Sequence, residues 1–200
     1  MASNADYDWK EHPVFHIDFS TTGVETAAEL KEAISRGLHK IAERYGIRLK
    51  SGRYNWEFED LIELLGARGK VVALIDEYDK PLLDNILNLE EAQWIRDVLR
   101  NFYVVLKAKD EYFRFILLTG VSKFSKAGVF SGLNNLKDIT LYGRYATLLG
   151  ITQEELEAFF SDYINTLAVK MKKSREEILA DIRYWYDGFC FAPNAPKVYN

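Results

Sequence analysis

Two hundred residues, 48% of them hydrophobic and 14% aromatic, suffice for one domain with a real core, or for one domain with a small appendage. A net charge of −4 argues against a strongly electrostatic nucleic-acid binder, which presents a basic face. One cysteine, Cys190, excludes an internal disulfide and a cysteine-based zinc site, the three histidines stand at no metal-ligand spacing, and no apolar stretch nears the roughly 18 residues that span a bilayer.

Residues 1–11 are polar and lack the apolar segment of a signal peptide. With Ser3-Asn4-Ala5 they read as a tag remnant and leader, so the chain is expected to be a piece of something longer, cytoplasmic and of bacterial type. Val14 to Phe19 alternates, with Phe15, Ile17 and Phe19 on one face, and predicts a strand. Thr22 with Glu25 predicts a capping box. Behind it Ala27, Leu30, Ile34, Leu38, Ile41 and Tyr45 keep helical spacing up to Gly46, where a helix stops. After a polar stretch over 48–55, Phe58, Leu61, Ile62 and Leu65 predict a short helix ending near Gly66.

Val71-Val72-Ala73-Leu74-Ile75 shows no alternation, which predicts a central parallel strand with helices on both faces. Asn88 and Glu91 predict a further capping box, opening a long helix on Ile95, Val98, Leu99, Phe102, Val105 and Leu106. Phe113 to Leu118 is the next buried strand, ending at Thr119-Gly120. Residues 120–137, rich in Gly, Ser, Lys and Asn, read as a functional loop, and Asp138-Ile139-Thr140-Leu141 as a short strand. Beyond 150 the pattern turns helical. Thr152 and Glu155 cap a helix carrying Leu156, Phe159, Phe160, Tyr163, Ile164 and Leu167. Ser174 and Glu177 cap another, carrying Ile178, Ile182, Trp185 and Tyr186 and stopped by Gly188. The expected organisation is a leader over 1–11, an α/β core with a mainly parallel sheet over 12–150, and a helical appendage over 151–200.

In parallel sheets ligands bind at the carboxyl ends of the strands, where Asp76, Glu77 and Thr119-Gly120 all fall. ATP hydrolysis needs magnesium on the phosphates and an in-line water. A carboxylate at the tip of a buried strand is held rigidly enough to bind the ion, and its neighbour can polarise the water. Asp76 is therefore the candidate magnesium residue, Glu77 the candidate base, and Thr119 a candidate hydrogen-bond partner of that water or of the terminal phosphate. The bland alternative is that acids simply end a strand and begin a helix, because they complement a helix N-terminus.

Val72-Ala73-Leu74-Ile75-Asp76-Glu77-Tyr78-Asp79-Lys80-Pro81-Leu82-Leu83 resembles the signature of the bacterial AAA-ATPase-like family, within the P-loop NTPase superfamily. So do Phe115 to Ser125, with Phe130-Ser131-Gly132-Leu133-Asn134-Asn135-Leu136 after it, and Trp185-Tyr186-Asp187-Gly188-Phe189. Cys190 stands where an arginine nearby would be expected, a departure from the pattern. The resemblance covers nearly all of residues 12–200. It implies an AAA-like P-loop core, with Asp76 and Glu77 as its Walker B pair and with ATP and magnesium as ligands of a longer parent. Many such parents carry a nuclease-like domain that ATP could gate.

The phosphate loop itself, Gly-x-x-x-x-Gly-Lys-Ser/Thr after a strand, does not occur in these residues. Gly66-Ala67-Arg68-Gly69-Lys70-Val71 is two residues short between glycines and precedes a strand. Gly120 to Lys126 follows a strand with the wrong spacing; it reads as a switch-like loop with Lys123 or Lys126 facing phosphate, or as a solvated loop. By resemblance the Walker A segment and first strand are missing from between the strands at 113–118 and 138–141. The open edge would close internally or pair between chains, two outcomes that a mass measurement in solution separates.

Other residues carry less. His16 and Asp18 share the polar side of the first strand, and Arg96 and Arg100 the polar face of a helix. The aromatic run Tyr184 to Phe191 suits packing or a protein partner, and Lys170, Lys172, Lys173 and Arg175 suit a solubilising turn, with no direct nucleic-acid signal. Two rival classes stand beside the ATPase module. One is a metal-dependent hydrolase or nuclease with Asp76, Glu77 and Asp79 as a carboxylate cluster; the other is a non-catalytic interaction module in which the acidic pair is a relic. Without a phosphate loop these 200 residues should be inactive alone. Calorimetry with ATP and magnesium should show no binding tighter than about millimolar, and a micromolar affinity would contradict the sequence reading.

Overall fold

A computed structural model describes residues 9–50, 52–121 and 136–199. The chain divides into two compact units, Met1–Asn135 and Leu136–Asn200. In the first, β1 (Val14–Asp18) is followed by α1 (Ala27–Arg44), α2 (Tyr54–Gly66), β2 (Val71–Asp76), α3 (Lys80–Asp84), α4 (Leu89–Ala108) and β3 (Phe113–Leu118). The three strands form one parallel sheet in the order β1-β2-β3. Asp18 lies in register with Asp76, and Ile75 with Leu118. This is the α/β core with a parallel sheet flanked by helices that the sequence predicts.

Val71, Ala73 and Ile75 of β2 are fully buried, with Phe15 of β1 on the same side. The Phe15 ring meets Phe58 of α2 edge-on at 5.6 Å, Phe58 stacks on Phe102 of α4 at 4.3 Å, and Phe19 meets Phe102 edge-on at 6.4 Å. Such pairs add about 0.5–1.5 kcal/mol each beyond the burial of their area. Alternation places Val72, Leu74, Phe115 and Leu117 on the opposite face, which is only half-covered among the described residues; Phe115 is 52% exposed. There the sequence expectation of helices on both faces is met on one.

The start of α1 lies one turn later than Thr22 and Glu25 suggest. The Thr22 N–H and hydroxyl both donate to the Phe19 carbonyl, at 3.1 and 2.9 Å, and so turn the chain as it leaves β1. Thr26 caps the helix instead, accepting from the Glu29 N–H, while the Glu29 carboxylate accepts from the Glu25 N–H. Asn88 caps α4 as expected, but the Glu91 carboxylate crosses to the Ala27 N–H at 3.1 Å and joins two helix starts. Tyr45, at the end of α1, reaches back to β1: the Val14 N–H donates to its hydroxyl at 2.8 Å and the hydroxyl donates to the Val14 carbonyl at 2.7 Å. Among the described residues no strand pairs with the outer edge of β3.

The second unit holds α5 (Gln153–Phe159), α6 (Ser161–Met171), α7 (Arg175–Tyr186) and a two-stranded antiparallel sheet of β4 (Asp187–Phe189) and β5 (Val198–Tyr199). Its core is Leu156, Ile164, Ala168, Ile178 and Tyr199. Both predicted caps form, Thr152 with Glu155 and Ser174 with Glu177. The single helix expected after Thr152 breaks at Phe160, with no glycine or proline there to mark it. Gly150, at φ +97°, brings the backbone against β5, where a Cβ would lie 2.7 Å from the Tyr199 carbonyl oxygen. Asp138 to Leu141 is not a strand. The Thr140 N–H donates to the Asp138 carboxylate at 3.0 Å and the Tyr142 N–H to the Ile139 carbonyl at 3.0 Å, so the segment turns. Two members of the basic run make local ion pairs, Lys173 to Asp181 at 2.5 Å and Arg175 to Glu157 at 3.1 Å.

One buried charge supports the helical layer. Glu57, on the first turn of α2, is 2% exposed. It accepts the Ser35 hydroxyl at 2.5 Å and the Gly52 N–H at 2.9 Å, with His39 Nε2 at 3.4 Å. Burial pushes its carboxyl up, but Ser35, Gly52 and His39 together outweigh burial and leave it below the ordinary glutamate range. A depressed folded value means stability that is present above the unfolded pKa and lost as pH falls through the folded one. Glu57→Gln should therefore cost about 1–3 kcal/mol in urea unfolding at pH 7. The gap to wild type should shrink below about pH 4.3. A pH-independent gap would contradict the charge-based account.

Candidate functional site

The β2 backbone leaves the core at Asp76, and that residue is exposed while Ile75 before it is 1% exposed. The Phe19 N–H donates to the Asp76 carbonyl at 3.1 Å, and the Thr119 N–H to the Ile75 carbonyl at 2.9 Å. The tips of all three strands are therefore tied edge to edge. In consequence the Thr119 hydroxyl donates to Asp76 Oδ1. The same oxygen accepts the Glu77 N–H at 3.1 Å. Both bonds fall on Oδ1, and among the described residues none reaches the second oxygen.

Glu77 follows at φ +52°, in the left-handed region that a side chain with a Cβ seldom enters. Its carbonyl accepts the Lys80 N–H at 2.9 Å, which closes a tight turn into α3. That conformation bends the backbone off the line of β2 at Glu77. Non-glycine residues are held this way where the surrounding structure over-determines them, and such positions cluster at functional sites.

The structure thus brings Asp76, Glu77 and Thr119 together on one sheet edge. Lys123, the candidate phosphate partner, and Lys126 lie outside the described residues. Asp18 joins the same edge from β1, opposite Asp76. The Ser20 hydroxyl and N–H both bond it and hold its carboxyl below the ordinary aspartate range. Asp79, which the sequence offered as a third member of a carboxylate cluster, is 1% exposed and accepts the Val121 N–H at 3.2 Å. From α4, the buried Tyr103 hydroxyl donates to the Tyr78 carbonyl at 3.3 Å. Burial pushes the Tyr103 phenol well up, and Tyr78 and Asp79 add to the effect. An acid ahead of Lys80-Pro81 signals a helix start; nothing in its spacing signals burial. Arg96 pairs with its neighbour Asp97 at 3.3 Å. A groove of about 780 Å³ between α1 and the start of α2, lined by Lys31, Arg36 and Arg53 among others, contains none of these residues.

The donor set suits a small hard cation. Magnesium takes one or two protein carboxylates and completes its shell with water and phosphate oxygens. One exposed carboxylate, steadied by two donors on one oxygen, meets that need. A cage of carboxylates is a different matter: among the described residues no group of three or more His, Cys, Asp or Glu side chains gathers to hold a metal. Nor is any helix among them long and apolar enough to cross a membrane.

The family model described as AAA-ATPase_like, Predicted AAA-ATPase, matches residues 1–130. An uncharacterized protein in the vnfD 5' region of Azotobacter chroococcum mcd 1 is 41% identical over 197 residues, 97% of this chain and 36% of the relative. The chain spans about a third of that relative's length. No solved structure matches it.

The left-handed turn yields a stability test. Glu77→Gly removes the Cβ penalty, so the variant should unfold at higher urea, by about 0.5–1 kcal/mol. A loss of stability instead would show that the Glu77 side chain makes up for the strain with contacts of its own.

Proposed function

The chain belongs to the AAA-ATPase-like family of predicted AAA-ATPases, and from that premise we propose that it carries the cation- and water-handling edge of a longer ATP-hydrolysing protein. The observation that carries this reading is the Asp76 carboxylate at an exposed strand tip, with one oxygen fixed by the Thr119 hydroxyl and the Glu77 N–H. Asp76 offers its other oxygen to magnesium, which when bound offsets the charge of the phosphates. Glu77, turned off the strand line by its left-handed backbone, accepts a proton from the attacking water at its carboxylate. Thr119 keeps Asp76 in one rotamer by donating its single hydroxyl proton to that carboxylate, and its oxygen is left to accept from the water. Because the phosphate-cradling pattern is absent from these residues, the loop that binds the nucleotide comes from elsewhere in the longer protein.

The alternative of a carboxylate-cluster hydrolase needs Asp79 to face the same ions as Asp76. Its carboxylate is buried and bonded to the Val121 amide, which favours the ATPase reading. In the longer protein, Glu77→Gln should lower ATP turnover by about 10²- to 10⁴-fold while ATP binding persists. Asp76→Asn should raise the magnesium concentration needed for half-maximal turnover. Turnover that survives Glu77→Gln would overturn the proposal.

A further inference from the structure

Asp79 occupies the residue before the first turn of α3, a place where an aspartate ordinarily accepts an N–H from that turn. It makes no such bond. The backbone serves α3 instead: the Leu82 and Leu83 N–H groups donate to the Asp79 carbonyl, each at 3.0 Å, and Pro81 has no N–H to satisfy. The carboxylate turns inward, 1% exposed, and accepts the Val121 N–H from 42 residues away. Burying a carboxylate is costly unless it is well bonded, so this use of it demands a return.

The same two segments meet at two more points. The Tyr78 N–H donates to the Thr119 carbonyl at 2.9 Å. Between that bond and the Asp79–Val121 bond sits Gly120, with no room to spare. A Cβ there would lie 2.5 Å from Asp79 Oδ1 and 2.6 Å from the Tyr78 ring. Residues 119–121 are thus pressed flat against residues 78–79. From the other side, Tyr103 of α4 grips the Tyr78 carbonyl. Thr119 belongs to the clamped segment and is the residue whose hydroxyl reaches Asp76.

We infer that Asp79 is a positioning residue: through the Val121 N–H it holds the end of β3 so that the Thr119 hydroxyl stays on the Asp76 carboxylate. Asp79 touches no ligand in this role. It fixes the spacing between the β2 and β3 tips, with Gly120 as the gap that lets them close. The catalytic meaning of the clamp rests on the function proposed above; the clamp itself does not.

The test is therefore made on the 200-residue chain by NMR, without nucleotide. In the unaltered chain a through-hydrogen-bond coupling should connect the Val121 nitrogen to the Asp79 carboxyl carbon. Asp79→Ala should speed hydrogen exchange at the Val121 amide by about tenfold or more and shift the Thr119 methyl and β signals, while the Val98, Leu99 and Phe102 amides of α4 keep their protection. Asp79→Asn, which retains an acceptor oxygen, should restore most of both signals. Gly120→Ala wedges the segments from the opposite side and should move Thr119 as well, with less than additive effect in the double variant with Asp79→Ala. A missing coupling in the unaltered chain, or a Thr119 unmoved by both Asp79→Ala and Gly120→Ala, overturns the inference. In the longer protein, Asp79→Ala should lower kcat for ATP by about tenfold or more, with KM within about twofold. Displaced Thr119 signals with unchanged kcat would uphold the clamp and count against the catalytic role of Thr119.

Discussion

Everything at this sheet edge depends on parallel, in-register pairing of three strands. Parallel pairing puts all three carboxyl ends on one side, and register decides which residues share it. Asp18 stands opposite Asp76, and Thr119 follows Leu118, the partner of Ile75. A slip of one residue would turn Asp76 toward the helices and Ile75 toward water. The aromatic contacts among Phe15, Phe19, Phe58 and Phe102 forbid that slip, because the same alternation that exposes Asp76 buries Ile75 and places Phe15 under α2. The chemistry at the rim is thus held in place by packing several residues below it.

Much of this was legible in the sequence. The unbroken apolar run from Val71 to Ile75, with its β-branched valines after Gly69, favoured a strand over a short buried helix, and the structure has a strand there that surfaces at Asp76. Helical spacing located α1, α2 and α4, because every residue it named for the α4 core is buried in the structure. Asp76, Glu77 and Thr119 could be placed on one edge by topology alone. What stayed hidden were choices between equivalent donors and acceptors. Thr22 and Thr26 both precede a glutamate by three residues, and only the turn at Phe19 decides between them. Asp79 entered the sequence reading as a member of a carboxylate cluster, and its carboxylate went to a residue 42 positions on. Short elements left no periodicity to read. The two-residue β5 pairs with β4, and Tyr199 also exchanges backbone bonds with Ile151 at 2.9 and 2.8 Å. Asp138 to Leu141 had strand-like composition, but one Asp138 side chain supplied the bond that bends it.

The sheet is supported unevenly. Helices α1, α2 and α4 seal one side of β2, with Glu57 tying the α1–α2 corner and Glu91 tying α4 to the first turn of α1. The polar contacts are thereby concentrated where helices begin, and the apolar ones where strands are buried. Opposite them, Leu74 and Leu117 are half-buried beside the open Phe115 ring. The residues of the candidate site sit on the rim between these two sides. The sealed side holds them through Tyr103, Tyr78 and Asp79.

The Tyr45 hydroxyl closes one position on the margin of this sheet. By bonding both polar groups of Val14, it withdraws the margin of β1 from further ladder formation at that point. A further parallel strand joining beyond Phe113–Leu118 would end next to Thr119. Enlargement of the sheet and completion of the acidic rim are in that sense one event, because the newcomer's carboxyl end would arrive beside the hydroxyl already leaning on Asp76.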